Sequence, residues 1–393
     1  MKTVVSIVLV GIGGYGNVYL KSLFSKENES ALVEGVVDVA PKRSNYHQEI
    51  IDRNIPIYDS LEDFYKENKA DLAIISTPIH LHRDQACLAM EKGSHVLCEK
   101  PATANPKHLQ EMIETRDRTN KKLAIGFNWS FTDSVQELKQ DILKGQFGRP
   151  LRMKSLVLWP RNADYFNRSG WAGKKFSPNG DMIFDSVANN ATAHFLHHLL
   201  YLSGDKIEKS AEIDQISAEL YRANPIETFD TCAVHLHTKN DVEIIYLASH
   251  AVADEHRPKY KLEFEDATIT YHPDGERSEI VAKWHDGKEK VYEDPEQNHL
   301  AKLGVMIKAI QSEDQSILCG PEAARAHVQA IYGMHQSVQD IPNFPVHWVA
   351  YNEENKLTTV QGLDETLKQC YHQFCLPNDL GIEWSTAGDI VKV

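Results

Sequence analysis

The 393-residue chain contains no apolar stretch of membrane-spanning length, which argues against a transmembrane helix and against a membrane partner. It also lacks any run of Lys and Arg. Forty-two basic residues stand against 56 acidic ones for a formal net charge of −14, so phosphate backbones are repelled and DNA or RNA is not expected as a partner. Cysteine is sparse and unpatterned: the six, Cys87, Cys98, Cys232, Cys319, Cys370 and Cys375, show no CxxC spacing. That argues against a zinc ribbon or a disulfide framework and leaves buried, reduced thiols as the expectation. Internal repeats and low-complexity segments are absent. With 42% hydrophobic and 25% charged residues the chain is not of disordered type, and it is long enough to bury a core in two domains or more. Met1-Lys2-Thr3-Val4 runs directly into a first strand without a separate signal peptide, so a cytoplasmic location is expected.

The most informative feature present is Gly11-Ile12-Gly13-Gly14-Tyr15-Gly16. Lys2 to Val10 is an apolar, β-branched run of strand length that stops at glycine, and Asn17 to Phe24 reads as a helix. The glycines therefore sit at a strand-to-helix turn. Gly11 permits the tight turn, Gly13 lets backbone approach a pyrophosphate, and Gly16 lets helix pack on strand. Helix-start amides at Gly14 and Tyr15 would then face phosphates. A second strand, Leu32 to Val37, ends in Asp38, placed to accept hydrogen bonds from an adenosine ribose. A carboxylate there repels a 2′-phosphate, which favours NAD; Lys42 and Arg43 nearby keep NADP open.

Strand and helix then alternate as a parallel sheet requires. Helices are predicted over Ser60–Glu67, Arg83–Lys92 and Pro106–Arg118, and strands over Leu72–Ser76, His95–Cys98 and Lys122–Gly126. Doubly wound sheets bind ligands at the carboxyl ends of their strands. Thr77-Pro78 and Glu99-Lys100-Pro101 lie at two such ends, so Thr77, Pro78, Glu99 and Lys100 border the same cleft as the glycine loop. His82 is placed against the cofactor, and His80 is read as packing near it.

Together with Thr77-Pro78-Ile79-His80-Leu81-His82 and Gly126-Phe127-Asn128, these motifs resemble the glucose-fructose oxidoreductase, inositol dehydrogenase and MocA family of nicotinamide-dependent dehydrogenases. The likeness covers about residues 1 to 340. It implies a Rossmann domain, a doubly wound parallel sheet, followed by an α+β domain with a large open, mostly antiparallel sheet. It also implies sugars, cyclitols or their derivatives as substrates. The expected divisions are 1–127, 128–341 and a C-terminal extension, 342–393.

The second half agrees without that help. Strand patterns run over Pro150–Trp159, Asp214–Arg222, Thr231–His237, Val242–Val252, Tyr260–Tyr271 and Glu279–Tyr292, with turn signals at Asp274-Gly275 and Asp286-Gly287. One face of such a sheet needs covering by helices or by another subunit, so a homo-oligomer, dimer or tetramer, is expected. Asn298–Gln311 and Pro321–Val338 read as helices closing this domain. In the extension, Thr366–Phe374 looks helical, with Trp348 and Trp384 as anchors.

Phe184 to Leu202 reads as a helix stopped by Ser203-Gly204. The resemblance implies a catalytic histidine ten residues before that glycine, at His194, with an aspartate one turn earlier. Asn190 stands there instead. A second register would use Asp185, but its partner four residues on is Asn189, which cannot act as a base. His194 can take a hydroxyl proton, Lys100 can stabilise the developing oxyanion, and Asn190 can orient the imidazole or bind substrate. His194 and His198 have metal-ligand spacing but no third ligand nearby, so no metal is expected. Trp159 to Trp171 is dense in aromatics, arginines and small polar groups, which suits a carbohydrate; Arg161, Tyr165 and Trp171 are the candidate contacts, with Lys175 behind them.

The expectation is an NAD-dependent oxidoreductase acting on a secondary hydroxyl of a sugar or polyol. The alternatives are a non-catalytic dinucleotide-binding regulator and an enzyme whose bound NAD is recycled in a net non-redox conversion.

Overall fold

The computed structural model describes residues 4–272, 278–312 and 316–393, which form two compact units. The first comprises Met1–Thr132 and Asn298–Ala324. Its strands are β1 (Val5–Val10), β2 (Ala31–Val37), β3 (Ile57–Tyr58), β4 (Leu72–Ile75), β5 (His95–Cys98) and β6 (Leu123–Ile125). All pair in parallel, in the order β3-β2-β1-β4-β5-β6. Helices cover both faces of such a sheet, which is why β4 is buried at every position and β1 at all but one. The order reverses between β1 and β4, so the carboxyl ends of these two strands open a crevice. Side-chain caps fix where helices start: the Ser60 hydroxyl accepts from the Asp63 amide, and Asn105 accepts from Lys107 ahead of Pro106–Thr119.

The second unit comprises Asp133–Gln297 and Arg325–Val393. Its strands are β7 (Pro150–Leu158), β8 (Ile213–Tyr221), β9 (Thr231–Thr238), β10 (Glu243–Ser249), β11 (Lys259–Phe264), β12 (Ala267–Tyr271), β13 (Ile280–Trp284) and β14 (Glu289–Tyr292). A hairpin of β15 (Val349–Asn352) and β16 (Leu357–Val360) follows, then β17 (Val391–Lys392). The sheet runs β14-β13-β12-β11-β7-β10-β9-β8-β17 and is antiparallel except for the β7/β10 pair.

Three expectations change. Tyr260–Tyr271 is two strands, because the Glu265 and Asp266 amides leave the ladder to bond Arg149 and Phe147 carbonyls. Asp286-Gly287 makes the turn between β13 and β14, with Gly287 at φ +92°, whereas Asp274-Gly275 lies outside the described residues. The helix Ala301–Gln311 packs in the first unit and not the second, and Cys319 adds its carbonyl to the Ile125 amide at the end of β6. Helix also begins only at Ala193, preceded by irregular chain from Phe184 and turns over Val187 to Thr192.

The extension is part of the second unit. Its helix Leu363–Gln373 and Trp384 pack on the face of β7, β10, β9 and β8 that carries Leu156, Ile245, Ala233 and Tyr221. Among the described residues, no helix is long and apolar enough to cross a membrane.

Candidate coenzyme and substrate site

In the first unit the glycine loop is shaped by close backbone packing. Gly11 has φ +83°, its amide bonds the Val37 carbonyl at 2.8 Å, and a Cβ there would meet the Ser76 carbonyl oxygen at 2.5 Å. A Cβ at Gly16 would collide with the Gly11 carbonyl. At Gly13 and Gly14, by contrast, a Cβ would meet nothing within 4 Å, which is the open backbone a pyrophosphate needs. No side chain caps the helix Gly16–Leu23 that follows, leaving its positive end for an anion.

Asp38 sits where the sequence put it, at the end of β2. Its two carboxylate oxygens accept from the Ile12 amide at 2.9 Å and the Ala40 amide at 2.7 Å, so the acid is locked to the glycine loop itself. Asn17 adds a second tie, accepting from the Ser44 hydroxyl at 3.0 Å and the Asn45 amide at 2.9 Å. These contacts fit a dinucleotide: a cradle for phosphates with a fixed carboxylate beside it.

The Glu99-Lys100-Pro101 turn closes the end of β5, with a cis peptide before Pro101. Glu99, expected among the cofactor contacts, is 7% exposed and acts as an internal anchor. One carboxylate oxygen accepts from the Tyr19 hydroxyl at 2.6 Å and from the Lys302 ammonium; the other accepts from the Lys100 amide at 3.2 Å. Gly126 is glycine because a Cβ would sit 2.9 Å from that second oxygen. Lys302 is wholly buried, also donates to the Gly126 carbonyl at 3.2 Å, and lies 4.6 Å from the centre of the Tyr15 ring. Burial pushes its ammonium pKa down, opposed by the Glu99 charge, while burial and Glu99 raise the Tyr19 phenol. Lys302 was missed from the sequence.

His82, also expected against the cofactor, is held by internal partners. It is buried, with Nδ1 2.9 Å from the Pro101 carbonyl and Nε2 2.9 Å from the Thr77 carbonyl, so it braces the two strand-end turns that carry Thr77-Pro78 and Lys100. Burial lowers its pKa.

In the second unit, His194 lies in the first turn of the helix Ala193–Leu202, and Asn190 precedes that helix. The Asn190 amide donates to Asp185 at 2.7 Å. Asp185 is 4% exposed; it also pairs with the Arg168 guanidinium at 3.0 Å and accepts from the Gly173 amide at 2.7 Å. In the second register Asp185's partner, Asn189, is buried with its side-chain amide on the Ile183 and Phe184 carbonyls. Thr192 fixes the helix start through the Val187 carbonyl at 2.6 Å and the Tyr246 hydroxyl.

The aromatic loop lies beside this helix, with Trp159 edge-on to Phe195 at 5.5 Å. The Arg161 guanidinium is 5.7 Å from the Trp159 ring and 5.5 Å from Tyr165; Arg168 is 4.1 Å from Tyr165 and 4.9 Å from Trp171. Tyr165 packs on His250 at 5.5 Å, and burial raises its phenol to about 12. Arg161, Tyr165, Trp171 and Asn190 thus share one neighbourhood, with Arg168 and Asp185 as supports that the sequence reading did not select for that role. Lys175 is directed away, toward the Gln339 carbonyl at 3.4 Å.

Residues 5–127 match the model of the oxidoreductase family with an NAD-binding Rossmann fold, and residues 135–270 match the GFO/IDH/MocA C-terminal domain. The chain belongs to the GFO/IDH/MocA family. Curated relatives of this family member include D-glucoside 3-dehydrogenase of Escherichia coli, 23% identical over 52% of this chain and 55% of that protein. Another is myo-inositol 2-dehydrogenase of Thermotoga maritima, 23% identical over 56% and 62%. The GFO/IDH/MocA chain thus spans 55–62% of the length of these relatives. Among solved structures, the WlbA dehydrogenase from Bordetella pertussis in complex with NADH and UDP-GlcNAcA superposes with TM-score 0.69 at 18% identity, covering 86% of this chain and 97% of that one. The aldose-aldose oxidoreductase from Caulobacter crescentus gives 0.69 at 16% identity over 86% and 98%. These likenesses show the fold.

Proposed function

We propose that this chain is an NAD-dependent dehydrogenase that oxidises a secondary hydroxyl of a sugar, cyclitol or sugar derivative. The observation that carries the reading is the carboxyl edge of the first sheet, where an open glycine turn, a carboxylate locked to it and the Glu99-anchored Lys100 turn stand at the ends of β1, β2 and β5. Relatives named as glucoside and inositol dehydrogenases support the substrate class. Gly11, Gly13, Gly14, Tyr15 and Gly16 hold the phosphates, Asp38 holds the adenosine ribose, and Thr77 and Pro78 border the cleft. Asp38 disfavours a 2′-phosphate, so NAD is the preferred form over NADP.

Bound NAD supplies the hydride acceptor. The chain's own residues handle the proton and the charge: His194 takes the hydroxyl proton, and the Lys100 ammonium stabilises the negative charge that develops on that oxygen. Asn190, held by Asp185, orients without adding charge. Arg161, Tyr165 and Trp171 contact the substrate. Six cysteines free of disulfides, four of them buried, favour a reducing compartment, so the cytoplasm is the proposed location.

The test is turnover of NAD with a panel of polyols, sugars and sugar acids, followed by reduced-nicotinamide absorbance. Lys100→Met and His194→Ala are expected to lower kcat by about 10²–10⁴-fold while NAD binding persists. Tight NAD binding with no turnover of any panel member, or product formed without net reduction of NAD, would contradict the dehydrogenase reading.

A further inference from the structure

The nine-stranded sheet has two chemically different halves on one of its faces. Side chains alternate along β7, so Leu156 and Leu158 point to one side and Met153, Ser155 and Val157 to the other. On the Leu156 side the face is mainly apolar across β10, β9 and β8, through Ile245, Leu247, Ala233 and Tyr221, with Lys154, His235 and Glu219 among them. In the opposite direction the register carries the same face onto Lys261 and Glu263, then Thr270 and Thr268, then Val281 and Lys283, then Val291 and Glu289. That half is the more polar of the two.

The C-terminal extension covers the apolar half. Leu363, Leu367, Cys370 and Tyr371 from one helix, with Phe344 and Trp384 on either side, form one buried cluster with those strands. Tyr221 stacks on Phe344 at 5.0 Å and meets Trp384 edge-on at 5.0 Å. Polar contacts fix the position: the Lys154 ammonium donates to the Tyr371 carbonyl at 2.5 Å and to the His372 carbonyl at 3.4 Å, closing the last turn of the helix. The Asn378 amide reaches Glu219 at 2.9 Å, and the Thr386 amide reaches the Tyr221 hydroxyl at 2.9 Å. The extension then supplies β17, which pairs with the β8 edge. An apolar sheet face of this kind, if bare, is a ready surface for a second copy, and an open edge strand is another. Both are taken by residues of the same chain.

We propose that residues 342–393 stand in for a second subunit: they hold this face closed, the chain does not self-associate through it, and releasing them turns it into a self-pairing surface. The homo-oligomer expected from the sequence rested on an uncovered face, and the apolar half of this one is covered. The inference is independent of the proposed activity and is tested without it.

Cys370 is fully buried against the sheet; Cys375 beyond the helix is partly exposed at the margin of the same cluster, so Cys87, partly exposed in the first unit, serves as the internal control. Mass-mapped thiol labelling of the full chain over a wide dilution series is expected to show Cys370 slow, Cys87 faster, and both rates independent of protein concentration. Sedimentation of the same samples is expected to show no association that protects this face. Leu367→Asp in the full chain places a charge in the cluster; it is expected to make Cys370 reactive and to shift the chain to a larger species. Protection of Cys370 that rises with concentration in the wild type would overturn the proposal. So would a Leu367→Asp chain whose Cys370 reacts freely while it stays monomeric. If the variant does not fold, the wild-type series decides alone.

Discussion

Lys302 is the residue on which the first unit's site depends and which no motif announced. Its ammonium neutralises the buried Glu99 carboxylate, which in turn holds the Lys100 amide and the Tyr19 hydroxyl. Removing one partner of a buried ion pair leaves an uncompensated charge, so Lys302→Met is expected to destabilise the chain by about 3–5 kcal/mol in denaturant unfolding. NAD affinity should fall with it, because Tyr15 of the glycine loop lies over the same ammonium. Unchanged unfolding and unchanged NAD binding would refute this role. The pair was illegible because its members are 203 positions apart. A signal did exist: Lys302 shares a buried face with Met306 and Ala309, and a lysine on the apolar stripe of a helix needs a buried partner. Glu99 and His82 were found by their motif but their internal partners were not, since sequence position at a strand end does not reveal which neighbours a side chain bonds.

At the scale of elements, the strand-to-helix turn after β1 was readable nearly to the residue, because its positive φ at Gly11 and its close backbone packing at Gly11 and Gly16 admit only glycine. Gly11→Ala is expected to abolish NAD binding and to lower thermal stability, since the new methyl group would face the Ser76 carbonyl at 2.5 Å in a positive-φ conformation. An alanine variant that binds NAD like the wild type would show that the loop is not the phosphate cradle. The stretch before His194 was less readable. Its periodicity suggested helix from Phe184, yet the Asp185, Asn189 and Thr192 side chains bond nearby backbone groups and compete with the helical ladder until Ala193. That competition depends on partners such as Gly173, which lie outside any local window. The split of Tyr260–Tyr271 has the same origin: the Glu265 and Asp266 amides find carbonyls of a distant segment.

For the whole molecule, the doubly wound first sheet and the open antiparallel second sheet were legible from strand runs and their alternation. The return of Asn298–Ala324 to the first unit was not, since chain order carries no signal that a helix packs behind its own predecessors. Among the histidines the second unit buries are His198, His250 and His335, whose burial lowers each pKa to about 3. In the unfolded chain these titrate near 6.5, so below that pH the unfolded state binds more protons and stability falls as pH falls. The window runs from about 6.5 down to about 3, with a slope of at most about 1.4 kcal/mol per pH unit for each histidine. Denaturant unfolding should therefore give a lower stability at about pH 5.5 than at about pH 7; equal or higher stability in acid would exclude this burden of buried neutral imidazoles.

The central claim is that a nicotinamide coenzyme occupies the carboxyl edge of the first sheet with Asp38 at its adenosine ribose. Titration calorimetry of the full chain with NAD and, separately, NADP tests it most directly. Saturable binding of NAD, with weaker binding of NADP that strengthens on Asp38→Ala, is the predicted result. No heat with either nucleotide, or tighter binding of NADP to the wild type, would contradict it.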